Sequence, residues 1–161
     1  MVEILQPSFI VSFNYRHLIS KSIIEYMGEH IINLHTSYLP YNRGSNPNFF
    51  SFYDNTPKGV TIHRMEEGLD TGDILVQKEC LFEESKESFE TTYECLIREI
   101  SQLFYEHWNG IKRGEVIPVP QTGQATYHTK KELVAIQEKV PFQWSEKIEV
   151  VCKRLHSKGN G

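Results

Sequence analysis

Disulfide chemistry has little to work with in this chain. Its 161 residues hold three cysteines, Cys80, Cys95 and Cys152, widely scattered and with no CxxC pair. An odd, dispersed set supports neither a disulfide framework nor a zinc ribbon, and a reduced, cytoplasmic setting is the simplest expectation. No run approaches the ~20 apolar residues that cross a bilayer, so no membrane association is expected. The opening MVEILQPSF has no basic leader ahead of an apolar block, which makes it a poor secretory signal. A basic surplus is also missing. Seventeen Lys and Arg face twenty-one Asp and Glu, a formal charge of −4, and a nucleic-acid partner gripped through phosphates is disfavoured. What remains is a chain of single-domain length, 39% hydrophobic and 24% charged, with enough apolar material for a core. No repeat or low-complexity tract interrupts it.

The element order is that of an α/β domain with a mostly parallel sheet and flanking helices. Residues 8–13 follow Pro7 as a β-branched and aromatic run and predict a buried strand. From His17 to Met27, Leu18, Ile19, Ile23, Ile24 and Met27 fall at helical spacing, with Gly28 as the stop. Residues 31–35, Ile-Ile-Asn-Leu-His, predict a second strand, completing a parallel crossover unit. From Thr36 to Pro57 the chain is an irregular loop with a short helix over Asn48 to Tyr53. Gly59–His63 and Ile74–Cys80 predict two more strands, joined by an acidic connection. The clearest helix spans Lys86 to Trp108, with Ser85 as N-cap, Phe89, Leu96, Ile100 and Leu103 on its apolar stripe, and Gly110 after its end. Residues 1–115 thus predict the α/β domain. A Pro-, Gln- and Thr-rich surface excursion to about Thr129 and a last helix from Ser145 to His156 make residues 116–161 a C-terminal extension with one or two helices.

Two polar residues interrupt the apolar run of the second strand. Residues i and i+2 of a strand share a face, so Asn33 and His35 project together near its carboxyl end, where open α/β sheets keep their ligand crevice. An imidazole there can move a proton near neutral pH, and an amide can donate to a developing oxyanion. Spacing alone favours a satisfied, partly buried pair that has no catalytic task.

A third group lies in Gly68-Leu-Asp-Thr-Gly72, where glycines bracket an Asp and permit a tight turn with positive φ. If that turn reaches the Asn33–His35 strand, Asp70 can raise and orient the imidazole. The other reading is an ordinary Asp-Gly turn.

In order along the chain stand Asn33-Leu-His35-Thr-Ser37-Tyr-Leu39-Pro40, Arg43-Gly44, Gly59-Val-Thr-Ile-His63 and Leu69-Asp70-Thr-Gly72-Asp-Ile74. This series resembles the catalytic half of the 10-formyltetrahydrofolate-dependent formyltransferases. Those enzymes include glycinamide ribonucleotide, methionyl-tRNA and nucleotide-linked amino-sugar formyltransferases, and their pattern is Asn-x-His-x-Ser-x-Leu-Pro, Gly-x-Thr-x-His and Asp-x-Gly. Ser12-Phe-Asn-Tyr-Arg-His-Leu-Ile19 also resembles the turn upstream of that pattern, and the likeness covers roughly residues 7 to 112.

The resemblance implies Asn33, His35 and Asp70 as catalytic residues. It also implies 10-formyltetrahydrofolate as formyl donor, no metal, and a small-molecule amine as acceptor. Asn33 and a protonated His35 would hold the charge on the formyl oxygen, with Asp70 orienting His35 through an ordered water. The pterin side maps onto Phe13, Tyr15, His17, Leu18, Leu69 and Asp73, and the acceptor side onto Ser37, Arg43, Gly44, Ser45 and Asn46. His63 is expected to support the site through a buried hydrogen bond.

Family members carry several strands and helices before the strand that matches Phe9–Phe13, and this chain starts almost at that strand. The expectation is therefore a fragment of a longer product, or a homo-oligomer or other partner covering the exposed sheet. The basic tRNA-holding domain of the methionyl-tRNA enzymes has no counterpart, which with the negative charge favours a small amine such as an amino-sugar nucleotide or glycinamide ribonucleotide. Rival readings are a methionyl-tRNA formyltransferase-like fragment, a formyltetrahydrofolate deformylase, an inactive domain, or a metal hydrolase using His35, His63, Asp70 and Asp73.

Overall fold

A computed structural model gives the structure of the protein and describes residues 5–15 and 17–158. A four-stranded sheet is built from β1 (Ile10–Phe13), β2 (Ile31–His35), β4 (Gly59–Arg64) and β5 (Ile74–Glu79), in the order β1-β2-β4-β5. Within this sheet β1 and β2 run parallel, joined through α1 (Lys21–Met27) and a single 3-10 turn, whereas β2–β4 and β4–β5 are antiparallel. The sheet is therefore mixed, not mostly parallel. Between β2 and β5 the connections hold one short helix and one turn, and neither is a crossover that would return the chain to the same end.

A long helix, α3 (Phe89–Lys112), packs on the sheet. Its Leu96, Ile100 and Leu103 join Ile32, Leu34, Val60 and Ile62 in one apolar cluster. The helix starts three residues later than periodicity predicts. Ser88, not Ser85, is its N-cap, because its hydroxyl accepts from the Thr91 amide while the Thr91 hydroxyl serves the Ser88 amide in return. It also runs through Gly110 to Lys112, and the chain turns only at Gly114, with φ +69°.

A second apolar cluster joins α2 (Pro47–Tyr53) to the C-terminal residues. Phe49, Phe50 and Phe52 meet Phe89 of α3, Leu133 of α4 (Lys130–Lys139), Phe142, and Ile148 and Val151 of α5 (Ile148–Lys158). Residues beyond 115 are thus built onto the sheet-bearing part through shared core. The stretch from 114 to 129 is more than a surface excursion. Val119 exchanges two backbone hydrogen bonds with Ile74 at 2.8 Å, and β6 (Tyr127–His128) pairs with β3 (Arg43–Gly44). Among the described residues no helix is long and apolar enough to cross a membrane.

Candidate active site

The register of the sheet creates the polar centre. Asn33 and His35 share a face of β2, and the antiparallel partner β4 sets His63 directly opposite Asn33. Asp70 arrives from the β4–β5 connection. The left-handed residue of that turn is Asp70 itself, with φ +53°, and not either flanking glycine. Gly72 has a different task, since a Cβ there would run into the backbone carbonyl of Arg64.

The carboxylate of Asp70 is the hub. Its Oδ1 accepts from Asn33 Nδ2 at 3.2 Å, and its Oδ2 accepts the Gly44 amide at 2.8 Å. His63 Nε2 lies 3.5 Å from Oδ1, and His35 Nδ1 lies 3.7 Å from Oδ2. Burial alone would raise the pKa of this carboxyl. The charge of His35 in its protonated form and the Gly44 amide, with His63 beside Oδ1, outweigh burial and hold the pKa well below the usual carboxylate range.

Hydrogen bonds fix both imidazole tautomers, because a carbonyl oxygen can only accept. His63 Nδ1 donates to the Arg64 carbonyl at 2.7 Å, so Nε2 is its acceptor and faces Asn33 Nδ2 at 3.3 Å. His35 Nε2 donates to the Asn42 carbonyl at 3.1 Å, which leaves Nδ1 as the basic nitrogen turned toward Asp70. Burial pushes the His35 pKa below 6.5 against the pull of Asp70, with His63 adding to the downward push and the Asn42 contact opposing it. The free site therefore favours a neutral imidazole beside a carboxylate, whereas the resemblance implies a protonated ring at the charged formyl oxygen. The cost of desolvating a charged ring is what favours the neutral form.

A cavity of about 1000 Å³ opens over this centre. Of the residues expected from sequence, Tyr15, His17, Leu18, Asn33, His35, Gly44, Ser45, Asn46, Leu69 and Asp70 line it. Leu18 lines it because α1 begins at Lys21 rather than His17, leaving that leucine 85% exposed at the wall. Phe13, Asp73, Ser37 and Arg43 do not line it. Phe13 packs against the sheet cluster, and the Asp73 carbonyl accepts the Arg64 amide at 2.9 Å. Ser37 is buried and donates to the Tyr41 carbonyl at 2.8 Å.

Arg43 is turned away from the cavity by a residue that sequence reasoning missed. Gln121 Oε1 accepts both Nε and an Nη of Arg43, at 3.2 and 2.7 Å, while its Nε2 donates to the carbonyls of Asp70 and Gly72 at 2.9 and 2.7 Å. Asn42, Tyr93, Lys130 and Trp144 were missed as well. Asn42 sits fully buried at φ +57°, a conformation to which its residue type is suited, and that was the one available signal.

Burial pushes the Cys80 and Cys152 thiols up to about 11, so both stay protonated near neutral pH. Among the described residues no group of three or more His, Cys, Asp or Glu side chains is arranged to hold a metal ion.

The formyl transferase family model matches residues 1–106. The chain belongs to the formyltransferase family. It is 36% identical over 124 residues to the methionyl-tRNA formyltransferase of Thermodesulfovibrio yellowstonii, covering 76% of this chain and 40% of that protein. To the dTDP-4-amino-4,6-dideoxyglucose formyltransferase of Mycobacterium bovis it is 32% identical over 123 residues, covering 76% and 51%. Among solved structures, the formyltransferase PseJ from Anoxybacillus kamchatkensis, in complex with UDP-4,6-dideoxy-4-formamido-L-AltNAc and tetrahydrofolate, superposes with a TM-score of 0.84 at 40% identity. That match covers 89% of this chain and 76% of PseJ. The chain thus spans about half or less of the length of these two curated relatives.

Proposed function

We propose that this chain moves a formyl group from 10-formyltetrahydrofolate to a primary amine of a small acceptor, of which an amino-sugar nucleotide is the favoured class. The observation that carries the reading is the convergence of Asn33, His35 and Asp70 at the floor of one cavity. A net charge of −4 favours a small acceptor over tRNA, as does the likeness to PseJ, which was solved with a UDP-linked formamido sugar.

The donor fits the cavity wall. Tyr15, Leu18 and Leu69 line it and expose apolar surface at 60%, 85% and 42%. A flat pterin ring would cover that surface, and next to it Asn14 Nδ2 is steadied by the Tyr93 hydroxyl at 3.1 Å. The donor supplies an activated formyl carbon, and the remaining work falls to this chain.

The amine nitrogen bonds to the formyl carbon as the bond from that carbon to N10 breaks. The proton lost by the amine goes to the folate nitrogen. Neutral His35 is placed to accept that proton at Nδ1, and the Asp70 carboxylate stabilises the resulting imidazolium. Asn33 serves the oxyanion. Its Nδ2 spends one N–H on Asp70 and the other on the longer contact to His63, and the His63 contact is the one exchanged for the formyl oxygen.

The test incubates the protein with 10-formyltetrahydrofolate and a panel of amines, with water alone as control. Tetrahydrofolate release that depends on an amino-sugar nucleotide is the expected result. Equal release without any amine would identify a deformylase, and no release with any amine would sink the reading.

A further inference from the structure

Beyond the donor wall and the reacting centre, the cavity is also lined by two residues of the C-terminal extension, Lys130 and Trp144, which form a second flank. Two contacts give the direction of that flank. On α3, Tyr93 meets Asn14 on the donor side, while Phe89, one turn earlier, packs edge-to-face on Trp144 at 5.9 Å. The Glu90 amide donates to the Trp144 carbonyl at 3.1 Å, which ties the indole backbone to the start of that helix. Lys130 reaches the same flank by another route. His128 pairs with Gly44 across β3 and β6, and its carbonyl accepts the Ser45 amide at 2.9 Å, so Lys130 follows two residues beyond that anchor.

Both side chains line the cavity, and neither has been used in the reading of the reaction. Three perpendicular aromatic contacts, with Phe49, Phe89 and Phe142, hold the Trp144 ring in place, yet 40% of the residue remains exposed. A rigid, part-exposed indole is a stacking platform for a planar ring. Lys130 makes no ion pair among the described residues. A cation at that place suits an anion.

We infer that Trp144 and Lys130 form the subsite for the nucleoside diphosphate part of the acceptor, the indole stacking on the base and the ammonium meeting the diphosphate. The inference rests on the proposed transfer to an amino-sugar nucleotide and adds the residues that would select that acceptor. The carboxylate of Glu90, on the same flank, has its use in accepting from ribose hydroxyls.

The full chain carrying Trp108→Phe leaves Trp144 as its one indole, and UDP or dTDP is titrated against its fluorescence. Saturable quenching is expected, with weaker binding of uridine or pyrophosphate alone. Lys130→Gln, at an exposed position, is expected to weaken UDP about ten-fold, as loss of one charge-assisted contact does. Trp144→Ala, followed by calorimetry after a melting check, is expected to do the same, and Trp144→Phe to recover part of the loss. UDP binding that is absent, or that ignores both Lys130→Gln and Trp144→Ala, overturns the inference. The donor is titrated in parallel. A protein that transfers formyl to an amino-sugar nucleotide without needing Lys130 or Trp144 loses this subsite and keeps its function. One that binds UDP through them and transfers to no amine keeps the subsite and loses the function.

Discussion

Oδ2 of Asp70 lies 3.7 Å from Nδ1 of His35, too far for a direct hydrogen bond and close enough for an ion pair once the ring is charged. The gap suits a bridging water or substrate atom. Because the other ring nitrogen is committed to the Asn42 carbonyl, Nδ1 is the ring nitrogen left to take up a proton.

The pH dependence follows from that arrangement. With its pKa below 6.5, His35 is already basic at neutral pH, so kcat/KM should be flat above neutrality and fall on an acid limb whose midpoint lies below 6.5. Asp70→Asn removes the contact that raises the imidazole pKa. It should move that limb to still lower pH and cut kcat about 10²–10⁴-fold, the usual range for a disabled proton-transfer group. A limb centred above 6.5 would contradict a neutral His35. Folding stability should respond in two windows. The unfolded chain binds the His35 proton first, so stability declines as pH falls below 6.5. The Asp70 contribution is complete above the unfolded value of 3.8 and is lost as pH falls from there through the lower folded value. Melting temperature measured across pH reads both.

Asn33→Ala should separate catalysis from folding. Asn33 is half-buried and its two contacts, at 3.2 and 3.3 Å, are long, so little stability rests on them. Loss of an oxyanion donor costs about 10²–10³ in rate. Steady-state kinetics beside thermal melting is the measurement, and an unchanged kcat with a normal melt would remove Asn33 from the reaction.

The sequence states some of this plainly and other parts not at all. In β2 an apolar run broken at alternate positions marks both the strand and the face its polar residues share, and the structure places Asn33 and His35 as that alternation requires. Alternation carries no strand direction, which is why β4 and β5, correctly placed, turned out antiparallel. Ser85 and Ser88 look alike as caps until the residue at the third helical position is considered, and Thr91 is what selects Ser88. Gln121 was invisible because its partners lie 51, 49 and 78 residues away in a stretch without periodicity.

Gln121 and Arg43 should act as one unit. Gln121→Ala leaves the Asp70 and Gly72 carbonyls and the Arg43 guanidinium without their shared partner, at a cost of about 1–3 kcal/mol. Since the Asp70 turn loosens, kcat should fall more than donor binding. Arg43→Ala frees the same glutamine from its other side. The double variant should be less destabilised than the sum of the single ones, by about 0.5–3 kcal/mol in a denaturation cycle. Additive effects would mean that the two side chains work independently.

Gly44 joins the extension to the Asp70 carboxylate, and its replacement tests that link. Its φ of +91° is one that a residue with a Cβ rarely adopts, and a Cβ there would press on the His128 carbonyl and lie 2.8 Å from the Tyr127 ring. Relief requires β3 to move off β6, and that movement withdraws the Gly44 amide from Asp70 Oδ2. Gly44→Ala should therefore destabilise the fold by about 1–3 kcal/mol, as overpacking does. It should also raise the Asp70 pKa, since a hydrogen bond that favours the charged carboxylate is lost. Following the carboxyl carbon of Asp70 by NMR through an acid titration reads this directly. A midpoint unchanged from that of the parent chain would show that the amide of residue 44 does not hold the carboxylate in its charged form.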